Sequence, residues 1–229
     1  MNREGLRTKA GFFLVASFLC VASCLFGQSP KRLVDADISS ALDNARLSML
    51  FQGKTAEEFR LWQKKFKAKL NELLGDSAPP KTWKVTVEKV VNLHDHVRHH
   101  LLLEAEDIPA VPVYLLIPKS LPKGEKAPGI LCVHGHGEFG YDPIVGRSDL
   151  PGVEKAIQKS HYDYGLQFVR KGYVVAAPCM VPFGRRVNHE KYGGQDPCAV
   201  TLVRMQALGQ LPITANLRDL RWCLDLLQS

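Results

Sequence analysis

The sequence lacks several features that would place it in a simple class of protein. It contains no internal repeat and no low-complexity segment, so neither a repeat architecture nor a disordered chain is expected. It has no Cys-x-x-Cys pair of the kind that binds structural zinc. The net charge of +7 is spread along the chain, and no basic stripe is interleaved with aromatic residues, so nucleic acid is not an expected partner. The 229 residues suffice for one globular domain with a buried core.

The first 27 residues have the pattern of an export signal. Three basic residues, Arg3, Arg7 and Lys9, precede an uncharged apolar run from Gly11 to Gly27. The alternative is an uncleaved membrane anchor, but the run is shorter than the roughly 20 residues that span a bilayer. The sequence therefore predicts a signal peptide over residues 1–27 and an exported protein, either periplasmic or extracellular.

Two processing routes for this signal stay open. Val21-Ala22-Ser23-Cys24 resembles a bacterial lipobox, which would place a lipid on Cys24 and attach the protein to a membrane. Leu25 and Phe26 are unusual directly after a lipidated cysteine. Cleavage after Gly27 by an ordinary signal peptidase is the other route. Contact with a membrane is expected only through the signal or this lipid.

Four cysteines lie beyond the signal, and export permits disulfides. Cys132 falls within an apolar strand and Cys223 within a helix, so both are interpreted as small core residues. Cys179 and Cys198 lie near the ends of a loop, where a disulfide between them is left open.

Residues 28–82 are predicted to form an N-terminal helical segment. A first helix is expected from Asp35 to Met49. A second begins at Thr55, because Thr55 and Glu58 have the spacing of a capping box, and it stops at Gly75. Its apolar stripe is interpreted as a contact with the core. The stripe consists of Phe59, Trp62, Phe66, Leu70, Leu73 and Leu74.

Residues 83–118 are predicted to form antiparallel strands joined by hairpins, because short alternating or apolar runs are separated by turn residues. The pattern then changes. Ile130–Val133 is apolar throughout, as in a strand buried on both faces. A predicted helix, His161–Lys171, and another short apolar strand, Tyr173–Pro178, follow it.

Strand, helix and strand at this spacing predict a right-handed βαβ unit with parallel strands. A long loop over 180–197 and two helices, Ala199–Leu208 and Leu217–Leu227, complete the chain. The predicted fold class is therefore α/β, with antiparallel N-terminal strands leading into a parallel sheet flanked by helices.

A glycine-rich turn, His134-Gly135-His136-Gly137, follows the strand Ile130–Val133. Ligand sites in open α/β sheets lie at the carboxyl ends of the strands. Glycine allows such a turn to point its backbone N–H groups into a cleft. In acyl transfer these groups bind the oxygen that becomes negative, and one donor can lower the barrier by about 3 kcal/mol. The alternative is a plain strand-to-loop turn.

Several blocks, in the same order along the chain, resemble the α/β-hydrolase superfamily. The similarity is greatest to its exported acetyl-xylan-esterase-like and dienelactone-hydrolase-like branch. The blocks are Val111–Pro118, Ala127–Gly137, Tyr164–Pro178, Phe183–Arg185 and Leu217–Leu227. The resemblance implies an α/β-hydrolase fold of which residues 83–229 are the N-terminal part. It also implies a carboxylic-ester hydrolase of the serine type, acting without a cofactor on a small-molecule or carbohydrate ester.

For the site itself the resemblance implies one residue. The position after the His-Gly pair is His136, whose backbone N–H, not its imidazole, would form half of an oxyanion hole. Many family members carry Asp where this chain has Cys179. The family's nucleophile, acid and base belong to the later half of its domain, so the catalytic residues stay unassigned.

No substitute nucleophile is found. Gly146-Arg147-Ser148-Asp149-Leu150 is the nearest approach to a Gly-x-Ser-x-Gly elbow, but it lacks the final glycine and follows no strand. In the superfamily one neighbour of the His-Gly strand is the strand matching Tyr173–Pro178, and the other carries the nucleophile. We therefore expect Ile130–Val133 to form an exposed apolar edge, and hypothesise a truncated hydrolase. A non-catalytic exported binding module on a degenerate hydrolase fold is the alternative.

One dense histidine cluster contains His94, Asp95, His96, His99 and His100. Such residues can bind zinc, and a site at His94 and His96 would indicate a metallohydrolase. The other interpretation, an exposed hairpin turn between the flanking strands, is favoured because no further ligand cluster supports a metal. No metal site is therefore predicted.

Overall fold

The computed structural model describes residues 33–229, apart from the side chain of His189. The predicted signal peptide, with Cys24 and Gly27, lies outside the described residues. Two compact units divide the chain between Gln52 and Gly53. None of the helices described is long and apolar enough to span a membrane.

The first unit contains helix α1, Val34–Asp43, which is shorter than the sequence predicts. The expected end at Met49 is wrong, because the chain leaves the helix at Asn44. The Asn44 side-chain amide donates to the Ser40 carbonyl oxygen at 2.7 Å and satisfies one of the last carbonyl groups of the helix. Irregular backbone follows to the end of this unit.

The second unit begins with helix α2, Ala56–Leu74, and its predicted start is confirmed. The Glu58 N–H donates to the Thr55 hydroxyl at 3.2 Å, and the Thr55 N–H donates to the Glu58 carboxylate at 2.9 Å. The interpretation of its apolar stripe as core contact is wrong for the described chain, because no residue of α2 is buried. Phe59, Trp62 and Phe66 stack along the helix instead, with ring centroids 5.5 and 5.1 Å apart.

One five-stranded sheet organises the rest of the second unit, in the order β1-β2-β3-β5-β4. Its strands are β1 Lys84–Asn92, β2 His96–Ala105, β3 Ile108–Pro118, β4 Gly129–Leu131 and β5 Val174–Pro178. The first three are antiparallel neighbours, β5 is antiparallel to β3, and β4 is parallel to β5. The predicted passage from antiparallel strands into a parallel pair is confirmed.

Helices cover both faces of this sheet. Four further helices follow: α3 Val153–Ser160, α4 Tyr164–Arg170, α5 Pro197–Ala207 and α6 Pro212–Gln228, of which α4 and α6 pack on the strands. Val169 of α4 packs with Val175 and Leu116 on one face, whereas Trp222 of α6 packs with Leu103 on the other. Leu103 and Trp222 have no exposed surface, so α6 excludes solvent from this part of the sheet.

Helix α3 was not expected, and the helix predicted over His161–Lys171 begins later, at Tyr164. Val153, Ala156 and Ile157 fall at helical spacing, but α3 has only 8 residues, and such a short apolar pattern does not by itself distinguish a helix from a loop. His161 separates the two helices with a left-handed φ of 51°.

Strand β4 pairs with β5 alone among the described strands, so its other side has no strand neighbour. Ile130 and Leu131 are half-buried, and Val133, just beyond the strand, is 38% exposed. The described chain therefore has the unpaired strand edge expected from the sequence, but the expected exposure is wrong for Cys132, which is 2% exposed. Such an edge offers unpaired backbone groups to another strand.

Candidate functional site

The site lies where β4 and β5 end, and His134 fixes its shape. The His134 Nδ1 is 2.9 Å from the Gly135 carbonyl oxygen, and its Nε2 accepts the Met180 N–H at 3.0 Å. These partners assign the proton to Nδ1. Burial holds the pKa of His134 below its ordinary value, which keeps the ring neutral at pH 7. The ring therefore ties the turn after β4 to the chain after β5.

The turn held by His134 presents unused backbone donors. In residues 33–229, the N–H groups of Gly135, His136 and Gly137 donate to no backbone or side-chain acceptor. They border a pocket of about 140 Å³ whose other walls include Phe139, Ile144 and Tyr162. The structure thus places His136 on an amide-rich loop at the predicted edge of the sheet. Its role as an oxyanion donor stays a prediction.

Phe183 braces this loop from the opposite side. Its ring meets the imidazoles of His134 and His136 edge-on, with centroids 5.2 and 5.3 Å away. Phe183 follows a cis peptide bond between Val181 and Pro182. Asn216 of α6 binds Val181 twice, accepting its N–H and donating to its carbonyl oxygen, each at 2.9 Å.

A buried ion-pair network anchors the same segment to α6. Asp219 has no exposed surface and accepts from Arg186 at 2.8 Å and from Arg218 at 2.9 Å. Arg186 also donates to the carbonyl oxygen of Cys179, at the end of β5. Sequence reasoning missed these residues. One signal was available. Asn216 and Asp219 are three positions apart, so they lie on the same side of a helix that includes both.

Cys179 is a buried thiol that forms no disulfide in the described chain. The four cysteines in the part of the chain described are all unpaired, so the open possibility of a bond from Cys179 to Cys198 is not realised. The Cys179 thiol is fully buried and donates to the Phe183 carbonyl oxygen at 3.2 Å. Burial raises its pKa to about 11, which leaves little thiolate at neutral pH.

The elbow-like segment around Ser148 has a structural role. It follows a short 3₁₀ turn, Pro143–Val145, and not a strand. Arg147 makes bonds of 2.7 and 2.8 Å to the Asp149 carboxylate and donates to the Tyr114 hydroxyl at 2.9 Å. The geometry agrees with the conclusion from the sequence that Ser148 does not stand on a nucleophile elbow.

The interpretation of the histidine cluster as an exposed turn is wrong for three of its members. The turn ends at Asp95, and His96, His99 and His100 belong to β2. His96 is 2% exposed, and its Nδ1 lies 2.5 Å from the Asp95 carboxylate. The reason is backbone pairing with β3, in which His96, His99 and His100 lie opposite Pro118, Leu115 and Tyr114, so the strand begins earlier than the turn residues suggest.

A different trio comes together at the loop His134–Gly137, which we call the oxyanion loop after its predicted role. The ligand atoms of His136, Asp196 and Cys198 all lie within 4.8 Å of one another, the one such group found in residues 33–229. Asp196 caps α5 by accepting the Cys198 N–H at 3.0 Å, and His136 Nε2 lies 4.0 Å from the same carboxylate oxygen. Capping explains why Asp196 and Cys198 are neighbours.

Comparison with known proteins gives a likeness in structure alone. No family model matches the chain, and no curated protein is similar to it. A Bacteroides fragilis protein, described provisionally as an acetyl xylan esterase, matches 80% of this chain with a TM-score of 0.65 and 19% identity. The match covers 47% of that protein, so this chain spans about half its length.

A glucuronoyl esterase from Solibacter usitatus matches 55% of this chain and 36% of its own, at 19% identity and a TM-score of 0.35. Sequence identity at this level shows the fold alone, and the second match is too weak to add to it. The resemblance drawn from the sequence blocks is confirmed at that level: this chain shares an α/β-hydrolase-like fold with the Bacteroides esterase.

Proposed function

We propose that this chain is part of an exported carboxylic-ester hydrolase of the serine type, and that it is the part that carries the oxyanion hole. The proposal rests on the loop after β4. His134 holds this loop at the C-terminal ends of the strands, and several of its backbone N–H groups form no hydrogen bond in the described chain. Donors fixed before the reaction stabilise a developing oxyanion without reorganisation in the transition state.

In this proposal the ester carbonyl lies against the loop and the His136 N–H donates to its oxygen. When a serine attacks, that oxygen becomes negative and the bond from His136 strengthens. His134 is the positioning residue, because its bond to the Met180 N–H keeps the loop from turning away. The apolar walls of the adjoining pocket suit a small acyl group.

The nucleophile, the acid and the base are proposed to come from chain outside residues 1–229. The open side of β4 supports this, because a further parallel strand there would deliver its C-terminal turn beside the oxyanion loop. The substrate is proposed to be a small-molecule or carbohydrate ester, on fold-level analogy with the Bacteroides esterase. Export is proposed from the residues of the N-terminal signal.

The test begins with the verified reading frame around the codon for Ser229, followed by labelling with a fluorophosphonate and turnover of p-nitrophenyl acetate. We expect the frame to encode a Gly-x-Ser-x-Gly turn whose serine carries the label, and the 229-residue chain alone to remain unlabelled. A frame with no such turn, in a protein that folds stably and hydrolyses nothing, contradicts the proposal. That result favours the non-catalytic binding module.

A further inference from the structure

A second cavity, of about 700 Å³, lies away from the oxyanion loop and is rich in cationic side chains. We call it the basic cavity and define it by Lys89, His96, Arg98, His100, Arg147 and Arg170. These residues come from β1, β2, α4 and the segment after the 3₁₀ turn.

The strand registers place this cavity toward one end of the strands, and the oxyanion loop lies at the other end. His96 pairs with Pro118 at the C-terminal end of β3, and Leu116 of the same strand pairs with Val175 at the start of β5. The oxyanion loop, in contrast, follows the end of β4, which runs parallel to β5. The basic cavity is therefore not part of the proposed ester site.

Three alternate residues of β2 send polar groups toward this side of the sheet. His96, Arg98 and His100 share one face, because side chains two positions apart in a strand point the same way. Each has a buried nitrogen with no hydrogen-bond partner in the described chain: His96 Nε2, Arg98 Nε and His100 Nε2. Three unsatisfied nitrogens beside one cavity need an explanation, because buried polar groups are normally paired.

Arg98 is the most unusual of them. It is 6% exposed, and within residues 33–229 its guanidinium forms neither a hydrogen bond nor an ion pair. It lies over the Tyr114 ring, with its Cζ 5.8 Å from the ring centroid. A buried guanidinium that lacks a carboxylate partner is unfavourable unless an anion reaches it.

Asp142 and Asp149 attract Arg98 at longer range, but within residues 33–229 neither carboxylate forms an ion pair with it. Arg147 is bound by Asp149 at 2.7 Å, and Arg170 is bound by Asp95 at 2.7 Å. Asp142 also lies near Arg147, at 3.7 Å, so Arg98 and Lys89 are the cations lining the cavity that have no direct carboxylate contact in the described chain. An anionic ligand is therefore the complement that the cavity lacks.

The histidines suit the polar part of such a ligand. The Asp95 carboxylate is bound to Nδ1 of His96, so Nε2 is the nitrogen left to meet a ligand. Burial, with Arg98 and Arg147 nearby, lowers the pKa of His100 to about 4, so its ring is neutral at pH 7. A neutral imidazole can accept from or donate to a hydroxyl group.

We propose that the basic cavity binds a small polar molecule that carries a carboxylate or phosphate group. Arg98 pairs with the anionic group through its planar guanidinium, which matches both oxyanions in geometry. Lys89, which is exposed at the rim, adds a second positive charge. Hydroxyl groups of the ligand face His96 and His100.

The test is isothermal titration calorimetry of the purified protein with inorganic phosphate, D-glucuronate and D-glucose at matched ionic strength. We expect saturable binding of at least one anion and none of D-glucose. Binding of phosphate alone identifies a phosphate-bearing ligand, and binding of glucuronate alone identifies a carboxylate-bearing one. Absence of saturable binding for both anions, or equal binding of D-glucose and glucuronate, overturns the proposal.

Variants assign the binding to Arg98. Arg98→Met keeps the packing on Tyr114 but removes the charge, and we expect affinity to fall about 30-fold or more. Arg204→Met is the control, because it removes the same charge from the exposed face of α5 and leaves the cavity intact. If Arg98→Met does not fold, Lys89→Ala, which alters an exposed side chain, is expected to weaken binding about threefold.

Equal affinity of the wild-type protein and Arg98→Met for the anion overturns the assignment. If Arg98→Met does not fold, an unchanged affinity of Lys89→Ala overturns it instead. The readout does not depend on ester hydrolysis, so failure of this proposal and failure of the proposed function are distinguishable.

Discussion

His134 shows how one buried side chain can fix the shape of a loop. Both ring nitrogens are engaged by backbone groups, one on each side of the ring. His134→Ala leaves the buried Met180 N–H without its acceptor, so we expect the free energy of unfolding to fall by about 2–3 kcal/mol. Urea denaturation measures it. A variant as stable as the wild-type protein contradicts this account of the loop.

Buried histidines also predict how stability depends on pH. The pKa of His100 is lowered to about 4 and that of His134 is also lowered, in both cases chiefly by burial. The unfolded chain therefore binds protons at a higher pH than the folded one. This part of the stability is present above the unfolded value of about 6.5 and is lost as the pH falls toward the folded values.

Denaturation at pH 7 and pH 5 measures this effect. We expect a lower free energy of unfolding at pH 5, and a smaller difference in His100→Asn. Asp95 acts in a separate window, because Arg170 and His96 lower its pKa to about 2 and its contribution is lost only below pH 4. A rise in stability from pH 7 to pH 5 contradicts the argument.

Asp219 is the residue with the largest expected effect on stability. It is fully buried between Arg186 and Arg218, and removing it leaves a buried guanidinium unpaired. Asp219→Ala should lower the free energy of unfolding by about 3–5 kcal/mol. Asp225→Ala, at an exposed position of the same helix, is the control and should change it by less than about 0.5 kcal/mol. Equal effects of the two substitutions contradict the assignment.

At the scale of elements, the sequence predicted a helix or strand correctly where the interactions that form it lie within one short segment. The capping box of Thr55 starts α2 because its donors and acceptors lie within one turn. The apolar runs predict β4 and β5 because both strands are covered by helices. Helix α3 was missed because its apolar stripe, Val153, Ala156 and Ile157, spans little more than one turn of an 8-residue helix.

The open side of β4 makes a prediction about association. Val133 is 38% exposed next to that edge, where apolar side chains favour pairing with another chain. Val133→Lys introduces a charge that opposes such pairing, and we expect a larger soluble, monomeric fraction of the 229-residue chain by size-exclusion chromatography. Val203→Lys, on the exposed face of α5, is the control. The same gain from both substitutions contradicts a special role for the edge.

For the molecule as a whole, the sequence indicated the α/β fold class and placed the turn His134–Gly137 at the ends of the strands, but it did not indicate what stabilises that turn. The contacts of His134 with Met180 and of Arg186 with Asp219 join residues far apart in the chain, and no periodicity or motif connects them. The basic cavity was missed for the same reason. The sequence predicted a turn at its histidines. The cavity around Arg98 is formed by β2, α4 and the segment around Arg147, which are distant in the sequence.

The central claim concerns one backbone N–H, that of His136. The most direct test measures kcat/KM for p-nitrophenyl acetate in the longer protein that is proposed to carry the nucleophile serine, with His136→Ala and His136→Pro compared. Alanine keeps the N–H and should leave kcat/KM nearly unchanged, whereas proline removes it and should lower the value by about 10²–10³-fold. Circular dichroism melting curves control for folding of the proline variant. Equal losses in both variants, or no loss in the proline variant, contradict the account.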